Sequence, residues 1–295
     1  MGFFDFIAKP LGQFLYLVYN TVAFKNYGLA IIIFTIVIKL VLLPLTIKQY
    51  RSTAKMQEIQ PLIQDIQRRY KNDKEKMNQE LMKLYQEHKY NPAGGCLPLL
   101  IQMPILFSLY WVINQPLRFI LNKTPEQINK LIEYVTEAVG KVSMGSSREI
   151  GVLNYFNEHI SQLSNVSDLL KPEELINLKF LGINLGLIPK FDVKLLFGAQ
   201  MAVYLPLLAI PILAVATTYI SSKLMTPKAS EKSGNDASST TQNTMAMIGP
   251  LMTLLFSFQL PAGVALYWIA SNLFQIFQQL YINEYVMKKK EVSEK

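Results

Sequence analysis

Apolar residues in this chain are gathered into five blocks that polar stretches separate. A helix of about 20 apolar residues is about 30 Å long, which matches the hydrocarbon core of a bilayer. Blocks of this kind predict transmembrane helices rather than the core of a soluble domain. The fold class that follows is an all-α membrane protein with five transmembrane helices. The predicted spans are residues 28–47, 95–115, 199–222, 245–259 and 263–282.

The stretches between the predicted spans differ in character. Residues 1–27 place phenylalanines and aliphatic residues at roughly helical spacing around Pro10, which is typical of an amphipathic helix at the membrane surface. Residues 116–198 form a long polar region, and residues 260–262 form a short turn. Residues 223–244 are rich in Ser, Thr and Asn, a composition that favours a disordered loop.

The distribution of positive charge predicts the orientation in the membrane. Segment 48–94 holds ten Lys and Arg residues, segment 223–243 holds three and segment 284–295 holds four. Five spans put these three segments on one side, and the positive-inside rule makes that side cytoplasmic. We therefore expect the basic tail, 283–295, in the cytoplasm, and the N-terminus and residues 116–198 outside.

A separate helical pattern runs through the cytoplasmic segment 48–94. Its apolar residues step by three and four along two stretches, which predicts two amphipathic helices packed as an antiparallel hairpin. Asn72 stands three residues before Glu75, so it is a candidate cap for the second helix. The alternative is a solvated loop with accidental periodicity. The predicted seam consists of Met56, Ile59, Ile63, Ile66 and Tyr70, then Met77, Leu81 and Leu84.

Lys39 is a charged residue near the middle of the first predicted span. A charge inside the membrane costs a few kcal/mol or more, so it is a functional-site hypothesis by default. Snorkelling alone does not bring its ammonium to water, because Lys39 lies eight residues before Ile47, about 12 Å along a helix. No Asp or Glu occurs in the five predicted spans. We therefore expect Lys39 to face a water-filled cavity.

Polar residues of the other spans are candidates for the walls of that cavity. They recur at helical spacing on the first and fifth spans, with Asn272, Gln278 and Gln279 on or beside the fifth-span stripe. For each neutral residue alone, the alternative is a hydrogen bond to a neighbouring helix or a place in an aromatic belt. The predicted substrate groove consists of Lys39, Thr35, Thr46, Gln102, Gln200, Tyr204, Tyr267, Trp268, Ser271 and Gln275.

Several function classes lack their chemistry in this sequence. The single Cys96 excludes an internal disulfide framework and a cysteine zinc site, and His88 and His159 are too few for a histidine metal cluster. No paired carboxylates lie at membrane depth, so we expect no catalysis, no cofactor and no metal. The alternative to a binding groove for polypeptides is a small-solute or ion transporter or channel. Neither an inverted repeat nor an acidic coupling residue supports that alternative.

Several stretches resemble the YidC/Oxa family of membrane protein insertases. The most specific is "NPAGGCLPLLIQMPILFSLY", and "FLGINL", "LPAGVALYW" and the stretch after the first span are also similar. The resemblance implies a five-span core whose groove is open to cytoplasm and lipid but closed outside. It also implies that the chain inserts and folds nascent membrane proteins in a bacterial plasma membrane. This family typically has Arg where Lys39 stands, so the charge is kept but the bidentate fork is lost.

The resemblance also implies partners. Nascent membrane proteins are the expected substrates, and the lipid bilayer, the ribosome and the Sec translocon are further expected contacts. The tail's "KKK" would touch ribosomal RNA or anionic lipid, and the sequence leaves that choice open. No other nucleic-acid contact is expected. The arrangement is that of a Gram-positive-like, five-span type.

Overall fold

The chain is mostly helical in the computed structural model, which describes residues 3–91, 93–140, 147–225 and 237–282. The first helices are α1 (Phe3–Asn20), α2 (Tyr27–Val41), α3 (Leu43–Arg69), α4 (Lys74–Glu87) and α5 (Ala93–Asn114). The middle region contains α6 (Pro116–Phe119), α7 (Pro125–Val139), α8 (Arg148–Glu158), the strands β1 (Lys179–Phe180) and β2 (Ile183–Asn184), and α9 (Val193–Leu196). The last helices are α10 (Met201–Leu207), α11 (Ala209–Met225), α12 (Ala237–Ser257) and α13 (Ala262–Tyr281).

The first predicted span, 28–47, is not one helix. Helix α2 ends at Val41, and the chain turns by 63° before α3 continues. Pro44 lies in the first turn of α3, where its missing N–H costs nothing because first-turn donors have no partner within the helix. Inside a straight helix the same proline would remove a hydrogen bond and clash with the preceding turn. The apolar run predicted a straight span, and the proline explains the break.

Few of the described helices are both long enough and apolar enough to be membrane spans. Among the described residues, the stretch Met201–Leu224 is long and apolar enough to cross a bilayer, and the bent pair α2–α3 qualifies if it counts as one span. Shorter apolar stretches are Met103–Asn114 in α5 and Met247–Ser257 in α12. The count of five spans and their orientation therefore stay predictions.

Two further helix boundaries differ from those predicted from the sequence. The third predicted span is divided at Leu208 into α10 and α11, between Pro206 and Pro211, as expected for prolines that interrupt the hydrogen-bond ladder. Helix α12 begins at Ala237, so residues 237–244, predicted as disordered loop, are helical. They contain neither Gly nor Pro, and nothing in this polar stretch breaks the helix. Residues 226–236 and the basic tail, 283–295, lie outside the described residues.

Helices α3 and α4 pack against each other, and six of the eight predicted seam residues lie at their contact, Tyr70 and Met77 not being among them. Ile59, Ile63 and Leu84 are buried at their contact, with Met56, Ile66 and Leu81 packed beside them. The cap of α4 is Asp73, not Asn72, and its carboxylate accepts a hydrogen bond from the Lys76 backbone N–H at 3.0 Å. Asp and Asn are equally good caps, so the sequence alone did not distinguish these neighbours. The cytoplasmic location of this hairpin stays a prediction.

Helix α1 packs one face into the bundle. It continues through Pro10 and contacts α5 and α2, and the side chains of Ala8 and Leu15 are buried. The Gln13 amide donates hydrogen bonds of 3.1 Å to the carbonyls of Phe119 and Ile120. The apolar face that the sequence pattern predicted for this helix therefore packs against protein. Its place at a membrane surface stays a prediction.

The described parts of the polar region, 116–140 and 147–198, are folded, and their buried side chains belong to the same main hydrophobic core as those of the helical bundle. Two backbone hydrogen bonds fasten the region to the start of α13. The N–H groups of Ala262 and Gly263 donate to the carbonyls of Leu187 and Leu185, each at 2.8 Å. The first-turn N–H groups of a helix need acceptors outside that helix. The polar region supplies acceptors for two of these groups at the start of α13. Its buried side chains include Leu131, Val135, Leu153, Phe156 and Leu163.

Glu149 is a buried carboxyl group in this region, 7% exposed. Its carboxylate accepts a hydrogen bond of 3.0 Å from the Arg118 backbone N–H, which links α8 to α6. Burial raises its pKa to about 7, although the hydrogen bonds from the α6 backbone and the charge of Arg118 oppose that shift. The Arg118 guanidinium itself pairs with Asp5 of α1 at 2.9 Å.

We predict that Glu149 makes the folded state less stable as pH rises. Its folded pKa lies above the ordinary value of 4.5, so its favourable contribution is present below pH 4.5 and is lost as pH rises to about 7. Glu149→Gln keeps an acceptor oxygen but cannot ionise. At pH 8 it should raise stability by about 1–3 kcal/mol, because each pKa unit corresponds to about 1.4 kcal/mol. Thermal unfolding in detergent at pH 5 and pH 8 measures this difference.

Glu137→Gln serves as the control. It removes a carboxylate from the same region, but that carboxylate is exposed to solvent. An equal rise in melting temperature for both variants, or a rise for Glu149→Gln that is the same at both pH values, would contradict the assignment.

Candidate functional site

A cavity of about 420 Å³ lies where α2 and α3 meet α5 and α13. Residues of five helices line it, because Phe256 of α12 joins those of α2, α3, α5 and α13. The walls combine polar groups with apolar side chains, which include Leu42, Met103, Leu106 and Phe256. Six of the ten residues predicted for the substrate groove line it. These are Lys39, Thr46, Tyr267, Trp268, Ser271 and Gln275.

Lys39 occupies the last turn of α2, two residues before that helix ends. The C-terminal end of a helix carries partial negative charge, which stabilises a nearby cation by about 0.3–1 kcal/mol, and by more when partly buried. No carboxylate is among the residues that line the cavity in the described part of the chain. The helix break therefore gives Lys39 two sources of stabilisation, the end of α2 and the polar cavity, in place of an acidic partner.

Most of the cavity's polar groups come from a single helix face. Tyr267, Ser271, Gln275 and Gln278 are spaced by three and four residues along α13 and all line the cavity. The opposite polar contributions come from the start of α3, where Thr46 and Gln49 lie three residues apart. Because the chain bends between α2 and α3, the polar faces of α2 and α3 both reach the space beside α13.

Three predicted groove residues that the structure describes, Thr35, Gln200 and Tyr204, do not line the cavity. Thr35 is fully buried, and its hydroxyl donates to the Ile31 carbonyl at 2.6 Å, one turn away on α2. Gln200 is exposed at the N-terminus of α10, and Tyr204 is half-buried against the main core. The side chain of Gln102 lies outside the described residues.

Depth along the helices explains these differences. Helical spacing fixes the face of a residue but not the level at which neighbouring helices separate. Helix α2 packs closely on α13, so Thr35 is enclosed while Lys39, one turn further, reaches open space. Helix α10 contacts β2 and α9 in the polar region, which holds Gln200 and Tyr204 away from the cavity.

The structure also adds residues to the site. Gln49 was assigned to the hairpin because the straight-span reading ended the first span at Ile47, but its three-residue spacing from Thr46 places both on one face. Asn272 lines the cavity and also donates a hydrogen bond of 2.8 Å to the Thr218 hydroxyl of α11. Thr253 of α12 donates to the same hydroxyl at 3.3 Å. Asn272 is therefore held by a network that joins three helices.

The described residues hold no group of three His, Cys, Asp or Glu side chains that could bind a metal ion. The cavity instead offers one cation, several amides and hydroxyls, and apolar walls. This combination suits a polar peptide segment that is flanked by apolar residues, because each kind of group finds a matching surface.

The fold and cavity define a class, the all-α helical bundles with a polar cavity between the helices. Within that class the chain belongs to the family described as 60Kd inner membrane protein, whose family model matches residues 17–290. It is therefore a protein of a bacterial membrane.

Relatives of this chain carry the name membrane protein insertase YidC. The relative from Clostridium perfringens is 35% identical over 265 residues, which is 90% of this chain and 82% of that protein. The relative from Syntrophobacter fumaroxidans is 35% identical over 284 residues, 96% of this chain and 39% of that protein. The relative from Pelobacter propionicus is 31% identical over 97% of this chain and 40% of its own length. The chain thus spans about two fifths of two of these relatives.

A solved structure described as the active YidC insertase with its first transmembrane domain resolved covers 97% of this chain and 47% of its own chain. The TM-score is 0.47 and the sequence identity is 22%.

We predict that the cavity walls are open to water. In a Cys96→Ser background, single cysteines at Thr46 and Gln275 should react with a membrane-impermeant maleimide added to inverted membrane vesicles. Thr35→Cys should stay unreactive because that position is fully buried. Val41→Cys, at a position that is 70% exposed but does not line the cavity, should react slowly because we expect it to face lipid.

The comparison is between labelling rates at matched protein levels in intact vesicles. Reaction at Thr46 and Gln275 no faster than at Val41 would show that the cavity is not filled with water.

Proposed function

We propose that this protein is a membrane protein insertase that receives polar segments of nascent membrane proteins in the cavity around Lys39. The observation that carries the proposal is one lysine, at the end of a broken helix, facing amides, hydroxyls and apolar side chains without a carboxylate among the described lining residues. The family membership and the names of the relatives support it. The work is non-covalent, and no cofactor takes part.

The proposed arrangement has five spans: α2 with the start of α3, α5, α10–α11, α12 and α13. The α3–α4 hairpin and the tail lie in the cytoplasm, and residues 116–198 lie outside. The hydrogen bonds from the start of α13 to Leu185 and Leu187 support closure of the outer end. The cavity lies where α3 departs towards the hairpin, which supports an opening to the cytoplasm and to lipid.

The cavity lowers the barrier for the polar outer segment of a substrate. A charged or polar chain enters water and hydrogen-bonding side chains rather than hydrocarbon, where each unsatisfied group costs several kcal/mol. An acidic residue about 4 Å from the Lys39 ammonium gains about 4 kcal/mol at an effective dielectric of 20, and only about 1 kcal/mol in bulk water. The apolar walls contact the substrate's own helix, which then leaves sideways into lipid.

The hairpin and the tail would bring substrates to the cavity. The α3–α4 unit has its own apolar contact, centred on Ile59, Ile63 and Leu84, so it can keep its shape beyond the membrane. We propose that it meets the nascent chain or the ribosome. Contact with the Sec translocon and contact of the basic tail with ribosomal RNA or anionic lipid are parts of the same proposal.

The charge at position 39 should drive insertion. Lys39→Arg should keep activity, whereas Lys39→Ala and Lys39→Gln should lower it at least tenfold, because about 1.4 kcal/mol of lost attraction is a factor of ten. Lys39→Glu should be the most defective with acidic clients, since it reverses the attraction and also opposes the dipole at the end of α2. The measurement is insertion of a single-span client into liposomes, with an acidic or a neutralised outer segment.

Lys48→Gln is the matched control, because Lys48 is exposed and lies outside the cavity. All variants are compared at equal protein content. Full insertion of the acidic client by Lys39→Ala would refute a role for the charge. Client-independent flux of ions through the liposomes without insertion would favour a channel instead.

A further inference from the structure

Five large apolar side chains are strongly exposed near the N-terminal ends of α2 and α10. These are the helix ends that adjoin the polar region. Their exposed fractions run from 66% to 85%. Ile160 of the same region is 67% exposed as well, but it does not lie on the segments that adjoin α2 and α10. We call the five side chains the apolar rim. The rim consists of Phe24, Leu181, Phe191, Val193 and Phe197.

Backbone geometry makes two of these exposures unusual. Phe24 and Leu181 have φ of 51° and 50°, in the left-handed region that large side chains rarely adopt. Leu181 and Gly182 form a two-residue hairpin loop in which both φ angles are positive. Water-exposed loops of this kind favour Asn-Gly or Asp-Gly. A leucine held outward at such a position is consistent with an apolar environment around it.

The rim residues come from three separate segments that the fold brings to the same ends of two helices. The Phe180 ring packs against Gly28 at the start of α2, so Leu181 lies beside the α2 end that Phe24 precedes. Strand β2 contacts α10, and α9 leads directly into α10. The rim residues on and around α9 therefore continue the exposed apolar surface of α10, where Met201, Val203 and Leu205 are 44–46% exposed.

Lysines accompany the rim. Lys25, Lys179, Lys190 and Lys194 are exposed and lie within two residues of a rim residue along the chain. Asp192, which caps α9, is the acidic residue in the same stretches. Aromatic and aliphatic groups flanked by lysines match the boundary between acyl chains and anionic headgroups.

We propose that the apolar rim is embedded in the headgroup and upper acyl region of the outer leaflet, with the four lysines contacting anionic lipid. The proposal rests on the proposed orientation of the spans. Its occupant is lipid, and continuity with the span surfaces decides against a second copy or a protein partner. The rim would hold the outer ends of α2 and α10 at a fixed depth.

The experiment is depth measurement by nitroxide labels at Leu181, Phe191 and Phe197, one at a time in the Cys96→Ser protein. The protein is reconstituted in vesicles of phosphatidylcholine with phosphatidylglycerol. Collision with oxygen is compared with collision with a water-soluble nickel chelate. Val139, which is 50% exposed on α7, is the matched control. Val41 on α2 is the control for a lipid-facing span.

We expect the ratio of oxygen to nickel collisions at the rim to be at least threefold that at Val139 and lower than at Val41. Omitting phosphatidylglycerol should reduce the ratio at the rim but not at Val41. A rim ratio equal to that of Val139, with a high ratio at Val41, would overturn the rim proposal while leaving the spans intact. Low collision rates with both reagents would also overturn it, because they would show cover by protein. A low ratio at Val41 would instead contradict the span arrangement itself.

Discussion

A single lysine inside an apolar run is the constraint on which this structure depends. A charge surrounded by hydrocarbon must find water, a counter-charge or a dipole, and no carboxylate faces Lys39 among the described cavity residues. The chain meets this requirement with backbone geometry. It ends α2 two residues beyond Lys39 and redirects α3 by 63°. The ammonium therefore lies beside a helix C-terminus and a polar cavity, rather than midway along a straight helix.

The same break organises the neighbouring helices. Because α3 leaves the direction of α2, a space remains against α5 and α13, and the polar face of α13 lines it. The Asn272–Thr218–Thr253 network fixes α13 against α11 and α12. At the other end, the carbonyls of Leu185 and Leu187 hold the first turn of α13. The cavity thus has one firmly packed end and one end that leads to the hairpin.

The sequence predicted the helical class, the α3–α4 seam and the polar face of α13, because each depends on local periodicity. Lys39, Thr46 and Gln275, which it grouped by the same periodicity, line one cavity in the structure, and their role there stays a prediction. The sequence did not predict that Thr35 would be enclosed, because that depends on how closely α2 and α13 approach at one level. The assumption of a straight span hid the break at Leu42 and excluded Gln49, although Pro44 was a visible signal. The shift from Asn72 to Asp73 at the start of α4 reflects two caps of equal quality.

The bend between α2 and α3 is the most direct test of this account. Nitroxide spin labels are placed at Ile33 and Lys55 of the Cys96→Ser protein in lipid. Pulsed electron paramagnetic resonance then measures the distance between the two labels, which depends on the bend. A straight helix separates these positions by about 33 Å at 1.5 Å per residue. A bend of 63° at Leu42 reduces the direct distance between the two positions to about 28 Å. A distribution centred near the shorter distance, shifting towards the longer one in Pro44→Ala, is the result we predict. A distribution centred near the straight-helix distance in the unaltered protein would contradict the account, because Lys39 would then lie in the middle of an unbroken span.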